Sequence, residues 1–80
     1  MSKKVFVTGG AGYIGSHTCV ELLKSNHSIM VYDNLSNGSL EALKRVETLT
    51  NKKLKFVEGD ICNFDFLEQS ICEFQPDIVL

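Results

Sequence analysis

Val5-Phe6-Val7-Thr8-Gly9-Gly10-Ala11-Gly12-Tyr13-Ile14-Gly15 is the stretch on which the reading of the whole chain turns. It opens with three consecutive apolar residues, Val5 to Val7, the mark of a buried strand. Glycines then occupy positions 9, 10, 12 and 15, and a helical pattern follows. Gly10-x-Gly12-x-x-Gly15 has the dinucleotide-binding spacing, and Gly9-x-x-Gly12-x-x-Gly15 has a wider variant of it. Each glycine answers a separate physical demand. One permits the positive φ of a tight reversal after the strand. A second, lacking Cβ, lets the backbone touch a pyrophosphate, and the third lets the helix pack closely on the strand. The N–H groups and positive dipole end of the helix start then attract the phosphate oxygens.

The same reading requires an acidic residue about 20 positions on, at the end of the next strand. Ile29-Met30-Val31-Tyr32-Asp33 supplies Asp33 there. Alone, Asp33 reads as a strand-end turn former or a helix N-cap. Paired with the glycine turn, it reads as the acceptor of the adenosine ribose hydroxyls. A carboxylate there repels a 2′-phosphate, so the expected cofactor is NAD rather than NADP. The closest arginine, Arg45, lies in the next helix.

Outward from this core, the first helix is predicted over Tyr13 to Lys24. Ile14, Thr18 and Leu22 recur on one face, with Cys19 and Leu23 widening the stripe. His17 sits one turn into that helix. A packing or surface role suits it, because no partner has metal-ligand spacing to it. His27 falls in a solvated turn. Ser28 to Tyr32 forms the second strand. The polar loop Asn34-Leu35-Ser36-Asn37-Gly38-Ser39 either contacts the adenosine or merely connects. Leu40 to Leu49 reads as the second helix, striped by Leu40, Leu43, Val46 and Leu49. Lys52 and Lys53 fall in a wet turn. Leu54 to Glu58 is the third strand, and Gly59-Asp60-Ile61 follows it. Asp60 either accepts from an adenine amino group or caps a turn. Asn63 N-caps a third helix carrying Phe64, Leu67, Ile71 and Phe74, and Gln75-Pro76 ends that helix. Asp77-Ile78-Val79-Leu80 opens a fourth strand.

The order β-α-β-α-β-α-β predicts an α/β fold with a parallel sheet and right-handed crossovers. The expected strand order is 3-2-1-4, the first half of a Rossmann-type dinucleotide fold. Eighty residues make one small domain, below the usual size of a complete α/β enzyme. A net charge of −2 with 22% charged residues offers no basic surface for nucleic acid or anionic membrane. No apolar run approaches the ~20 residues of a membrane span. Met1-Ser2-Lys3-Lys4 leads straight into a strand, not into a signal peptide. Cys19, Cys62 and Cys72 form no Cys-x-x-Cys, so neither a metal site nor a disulfide is expected. Reduced, mostly buried thiols of a cytoplasmic protein are.

Thr8-Gly9-Gly10-Ala11-Gly12-Tyr13-Ile14-Gly15-Ser16-His17-Thr18, Glu21-Leu22, Asp33-Asn34-Leu35-Ser36-Asn37 and Phe56-Val57-Glu58-Gly59-Asp60-Ile61 together resemble the amino-terminal part of the UDP-glucose 4-epimerase family. That family belongs to the extended short-chain dehydrogenase/reductase group. The resemblance implies that Gly9, Gly12 and Gly15 form the pyrophosphate turn, with Tyr13 and Ile14 beside the cofactor. It implies that Asp33 binds the ribose and that Asn34, Leu35, Ser36, Asn37 and Gly38 line that half of the site. Asp60 and Ile61 would contact the adenine. The implied activity, in galactose metabolism, interconverts UDP-galactose and UDP-glucose. A tightly held NAD takes a hydride from C4 of the UDP-hexose and returns it to the other face of the 4-keto sugar. Full-length members are often homodimers.

The family's base is a tyrosine in a Tyr-x-x-x-Lys motif, which this chain lacks: four residues after Tyr13 and Tyr32 stand His17 and Ser36. No catalytic residue is therefore assigned. Residues 1–80 are expected to be the amino-terminal part of an NAD-binding domain, with the substrate domain absent, and to be inactive alone. Another NAD-dependent sugar-nucleotide epimerase or dehydratase, or a non-catalytic dinucleotide-binding module such as a redox sensor, shares the glycine turn.

Overall fold

In a computed structural model, which describes residues 2–9, 11–35 and 38–80 and only the backbone of Tyr13, strands and helices alternate as expected. They are β1 (Lys4–Thr8), α1 (Tyr13–Lys24), β2 (Ser28–Asp33), α2 (Leu40–Thr50), β3 (Lys55–Glu58), α3 (Phe64–Phe74) and β4 (Ile78–Val79). All strand pairs are parallel and the order is β3-β2-β1-β4. Thr8 stands beside Tyr32, and Asp33 beside Glu58, so the carboxyl ends of three strands finish side by side.

Side-chain alternation sorts the sheet into two faces. Val5, Val7, Ile29 and Val31 face one way and meet Cys19 and Leu23 of α1 and Leu43 and Val46 of α2. Phe6, Met30, Tyr32 and Val57 face the other way and meet Leu67, Ile71 and Phe74 of α3. Burying a side chain such as Phe6 stabilises by roughly 1.5–3 kcal/mol, so these two layers carry the fold. Each helix stops at a left-handed residue, Asn26 (φ 66°), Asn51 (φ 54°) or Gln75 (φ 51°). Asparagine tolerates this conformation well, and Pro76 blocks any continuation after Gln75.

The apolar stripes are narrower than their periodicity predicts. Ile14 is 79% exposed, and Leu40, Leu49 and Phe64 are exposed too. All four lie in the first or last turn of a helix. A helix buries only the turns that sit over a neighbour, so the stripe of α1 centres on Cys19 and Leu23 instead. The cysteines also depart from expectation. Cys19 is buried, but Cys62 and Cys72 are exposed on the α3 side of the fold. His27 is half-buried rather than free in a turn, and its Nδ1 accepts the Lys3 N–H at 3.0 Å.

Strand β4 is short and lies at the sheet edge. Its entry is held by two reciprocal bonds: the Lys4 N–H donates to Asp77 Oδ2 at 2.8 Å, and the Asp77 N–H donates to the Lys4 carbonyl at 2.7 Å. At its exit the Thr8 N–H and hydroxyl both donate to the Leu80 carbonyl. Among the described residues, no helix is long and apolar enough to cross a membrane.

Candidate dinucleotide site

A cleft of about 330 Å³ opens where β1, β2 and β3 end. Thr8, Gly9 and Gly12 line it from the β1–α1 turn. Tyr32, Asp33 and Asn34 line it from the end of β2, and Gly59 and Ile61 from the segment after β3. Ligands of open α/β sheets bind at this edge, because the loops there are free to vary while the strands hold them in place.

The turn begins at Gly9, whose φ of +70° is the reversal the sequence demanded. The space around a Cβ at this position is open, so glycine is needed there for its backbone and not for room. The Gly9 N–H extends the sheet by donating to the Tyr32 carbonyl at 2.9 Å. Gly12 is the N-cap of α1, in an extended conformation. Helix α1 has no side-chain cap and no acidic residue in its first turn. By contrast, Ser39 Oγ accepts the Ala42 N–H in α2, and Asn63 Oδ1 accepts the Phe66 N–H in α3. The start of α1 therefore presents its dipole and backbone donors to an anion, with a glycine at the N-cap that has no side chain to compete.

Asp33 is 8% exposed, and both of its carboxylate oxygens are engaged. Oδ2 accepts the Ala11 N–H at 3.0 Å, and Oδ1 accepts the Leu35 N–H at 2.8 Å. The side chain thus joins the glycine turn to the loop after β2. Each carboxylate oxygen can accept a second bond, so the aspartate can take ribose hydroxyls while holding both segments. Arg45 lines a separate groove between α1 and α2, not this cleft.

Ala11 is a second junction that the sequence reading passed over. It is 1% exposed. Its carbonyl accepts the Ser39 N–H at 3.2 Å, and a Cβ on Gly38 would fall 2.5 Å from its carbonyl carbon. The loop after β2 is therefore seated on the glycine turn. Its only sequence signal is a small residue between two glycines.

After β3, the Gly59 N–H donates to the Asp33 carbonyl at 3.1 Å. The exposed Asp60 folds its own turn: Oδ1 accepts the Cys62 N–H at 2.8 Å, and its carbonyl accepts the Asn63 N–H at 3.0 Å. The Tyr32 hydroxyl also donates to that carbonyl, at 2.9 Å. Burial, with a smaller push from the Asp60 carboxylate, raises the Tyr32 phenol above its ordinary pKa, so its proton stays in place.

Of the residues expected at a site, Gly9, Gly12, Asp33, Asn34 and Ile61 share the cleft lining. Ile14 projects into solvent, and Gly15 is half-buried in the first turn of α1. Leu35 is half-buried, and Gly38 lines the α1–α2 groove. Asp60 lies between the two lining residues Gly59 and Ile61. Ser36 and Asn37 lie outside the described residues, as does Gly10. Thr8, Tyr32 and Gly59 line the cleft without having been singled out.

Known proteins share this fold. The chain is 51% identical over 76 residues to the UDP-glucose 4-epimerase of Bacillus subtilis, a match covering 95% of this chain and 22% of that protein. Its fold superposes with a TM-score of 0.92, at 38% identity, on a UDP-glucose 4-epimerase from Stenotrophomonas maltophila crystallised with NAD and formylated UDP-arabinopyranose. That match covers 96% of this chain and 23% of the other. The Bifidobacterium longum UDP-glucose 4-epimerase, in complex with NAD+ and UDP, gives a TM-score of 0.91 at 41% identity, over 95% of this chain and 23% of the other. The chain thus spans less than a quarter of the length of these relatives. The family model described as "NAD dependent epimerase/dehydratase family" matches residues 5–80, from within the strand that enters the glycine turn through the strand at the sheet edge. With the turn, the strand order and the match all running the length of the chain, it belongs to the NAD dependent epimerase/dehydratase family.

Proposed function

We propose that these 80 residues hold the adenosine and pyrophosphate half of an NAD site in a UDP-hexose 4-epimerase. The observation that carries this is Asp33, a nearly buried carboxylate pinned between the glycine turn and the next loop, on the lining of the strand-end cleft. Gly9, Gly12 and Gly15, with the uncapped start of α1, bind the pyrophosphate through backbone donors and the helix dipole. Tyr13 and Ile14 flank it. Asp33 accepts the ribose hydroxyls, and Asn34, Leu35, Ser36, Asn37 and Gly38 enclose that side. Asp60 and Ile61 read the adenine. The donor set fits the group: backbone N–H groups face the phosphates, and carboxylates face hydroxyl and amino donors.

When bound, NAD supplies the hydride acceptor and donor of the reaction. The proton-transferring pair lies outside these residues, since Tyr-x-x-x-Lys does not occur in them. UDP-galactose and UDP-glucose are the substrates of the whole protein in this reading, supported by the relatives' names. A cytoplasmic homodimer is part of the same reading, on the resemblance alone. A sugar-nucleotide dehydratase is the second reading, favoured by the breadth of the matching family.

Calorimetric titration with NAD and NADP tests the cofactor assignment. Like charge against Asp33 is expected to weaken NADP more than about tenfold relative to NAD. Equal affinities, or NAD binding unchanged in Asp33→Ala, would overturn it. Purified residues 1–80 are expected to turn over no UDP-galactose.

A further inference from the structure

Tyr32 is the largest fully buried side chain among the described residues, yet it carries a hydroxyl into the fold. Its ring lies 5.9 Å from Phe6 on one side and 5.9 Å from Phe66 on another. A ring so confined cannot swing, and a buried phenol needs a partner. The partner is the Asp60 carbonyl at 2.9 Å, which belongs to the segment after β3. The fit to that segment is tight. A Cβ on Gly59 would lie 2.4 Å from the Tyr32 hydroxyl oxygen and 2.6 Å from its Cζ. Only glycine can pass there, and the backbone from Gly59 to Asp60 rests directly on the phenol. Both Tyr32 and Gly59 line the cleft, as does Ile61 just beyond.

We infer that Tyr32 is a positioning residue for purine recognition. Its hydroxyl sets the height and orientation of the Gly59–Ile61 backbone, and so aims the Asp60 carboxylate at the exocyclic amino group of the adenine. The inference rests on the NAD reading above. It adds a specificity role to a residue that reads, by burial alone, as plain core. The physical basis is preorganisation: a ligand-facing group held by a rigid neighbour loses less freedom on binding than one on an unsupported loop.

The test compares affinity for NAD with affinity for nicotinamide hypoxanthine dinucleotide, in which an oxo group replaces the adenine amino group. The wild-type protein is expected to prefer NAD, and Asp60→Asn to erase or reverse that preference. Tyr32→Phe keeps the ring and removes one hydrogen bond. It is expected to narrow the preference about threefold or more, the worth of a single net hydrogen bond. Tyr32→Leu, read by the same ratio, serves if Tyr32→Phe does not fold. A merely structural tyrosine would weaken both dinucleotides by the same factor. That result, or an unchanged ratio in folded Tyr32→Phe, overturns the inference while leaving the NAD site intact. No NAD binding by the wild type, or an Asp60→Asn protein that keeps the preference, overturns the reading of the site and the inference with it.

Discussion

The Asp33 carboxylate accepts the Ala11 N–H at 3.0 Å in a buried bond that bridges 22 residues of chain. Its other oxygen accepts the Leu35 N–H. One side chain therefore ties the glycine turn to the loop after β2. An aspartate read from sequence as a ligand contact is also a structural fastener.

Replacing Asp33 separates the two roles. In Asp33→Asn one backbone donor faces an amide nitrogen, and leaving such a group unpaired costs about 1–3 kcal/mol. Urea unfolding should show that loss without a change in m-value. Asp33→Ala frees both donors and should cost more, while also weakening NAD binding.

Two glycines should respond to alanine for different reasons. Gly9 has a φ of +70° with open space around it, so Gly9→Ala should cost only the left-handed backbone penalty, about 1–2 kcal/mol. At Gly38 the new Cβ would fall 2.5 Å from the Ala11 carbonyl carbon and oxygen, which cannot move without opening the turn. Gly38→Ala should therefore be the more destabilising of the two in thermal melts. The reverse ranking would contradict the seating of this loop on Ala11.

The thiols should divide. Cys62 and Cys72 are exposed and should react quickly with a thiol reagent in the native protein, while Cys19 should react only on unfolding. Burial pushes the Cys19 thiol up to about 11 from 9.0. The folded state thus holds this proton more tightly than the unfolded state. The resulting stability is complete below about pH 9 and is lost as pH rises towards 11. Cys19→Ala should flatten the fall in denaturation midpoint across that window.

Ile78, Val79 and Leu80 are 40%, 53% and 52% exposed at the sheet edge. An edge strand with apolar side chains invites pairing with another chain. Light scattering of residues 1–80 should show mass rising with concentration, and Val79→Lys should suppress that rise. A monodisperse monomer at all concentrations would contradict it.

Much of this was legible in the chain. Tyr13–Lys24 appears with the bounds its periodicity predicted, and the helix capped by Asn63 ends before Pro76. The parallel order 3-2-1-4 follows from alternating elements and right-handed crossovers. A positive φ at one glycine of the turn, met at Gly9, and an acidic residue at the end of the second strand, met at Asp33, were also expected. These are properties of short windows: an apolar run, a glycine spacing, a cap, a helix breaker. Backbone sterics and side-chain period act over a few residues, so the sequence by itself determined them.

The tertiary structure alone decided which apolar residues are covered. Ile14 and Phe64 fit their helical stripes as well as Leu23 and Phe74 do, yet they sit exposed in end turns. It alone also decided that Ala11 carries the loop after β2, that Cys62 and Cys72 face solvent, and that Gly59 exists for the sake of Tyr32. Each of these is a contact between segments far apart in the chain. Such contacts depend on how the helices and loops lie on the sheet, and no local pattern encodes the distance between two side chains that meet only after the strands have paired.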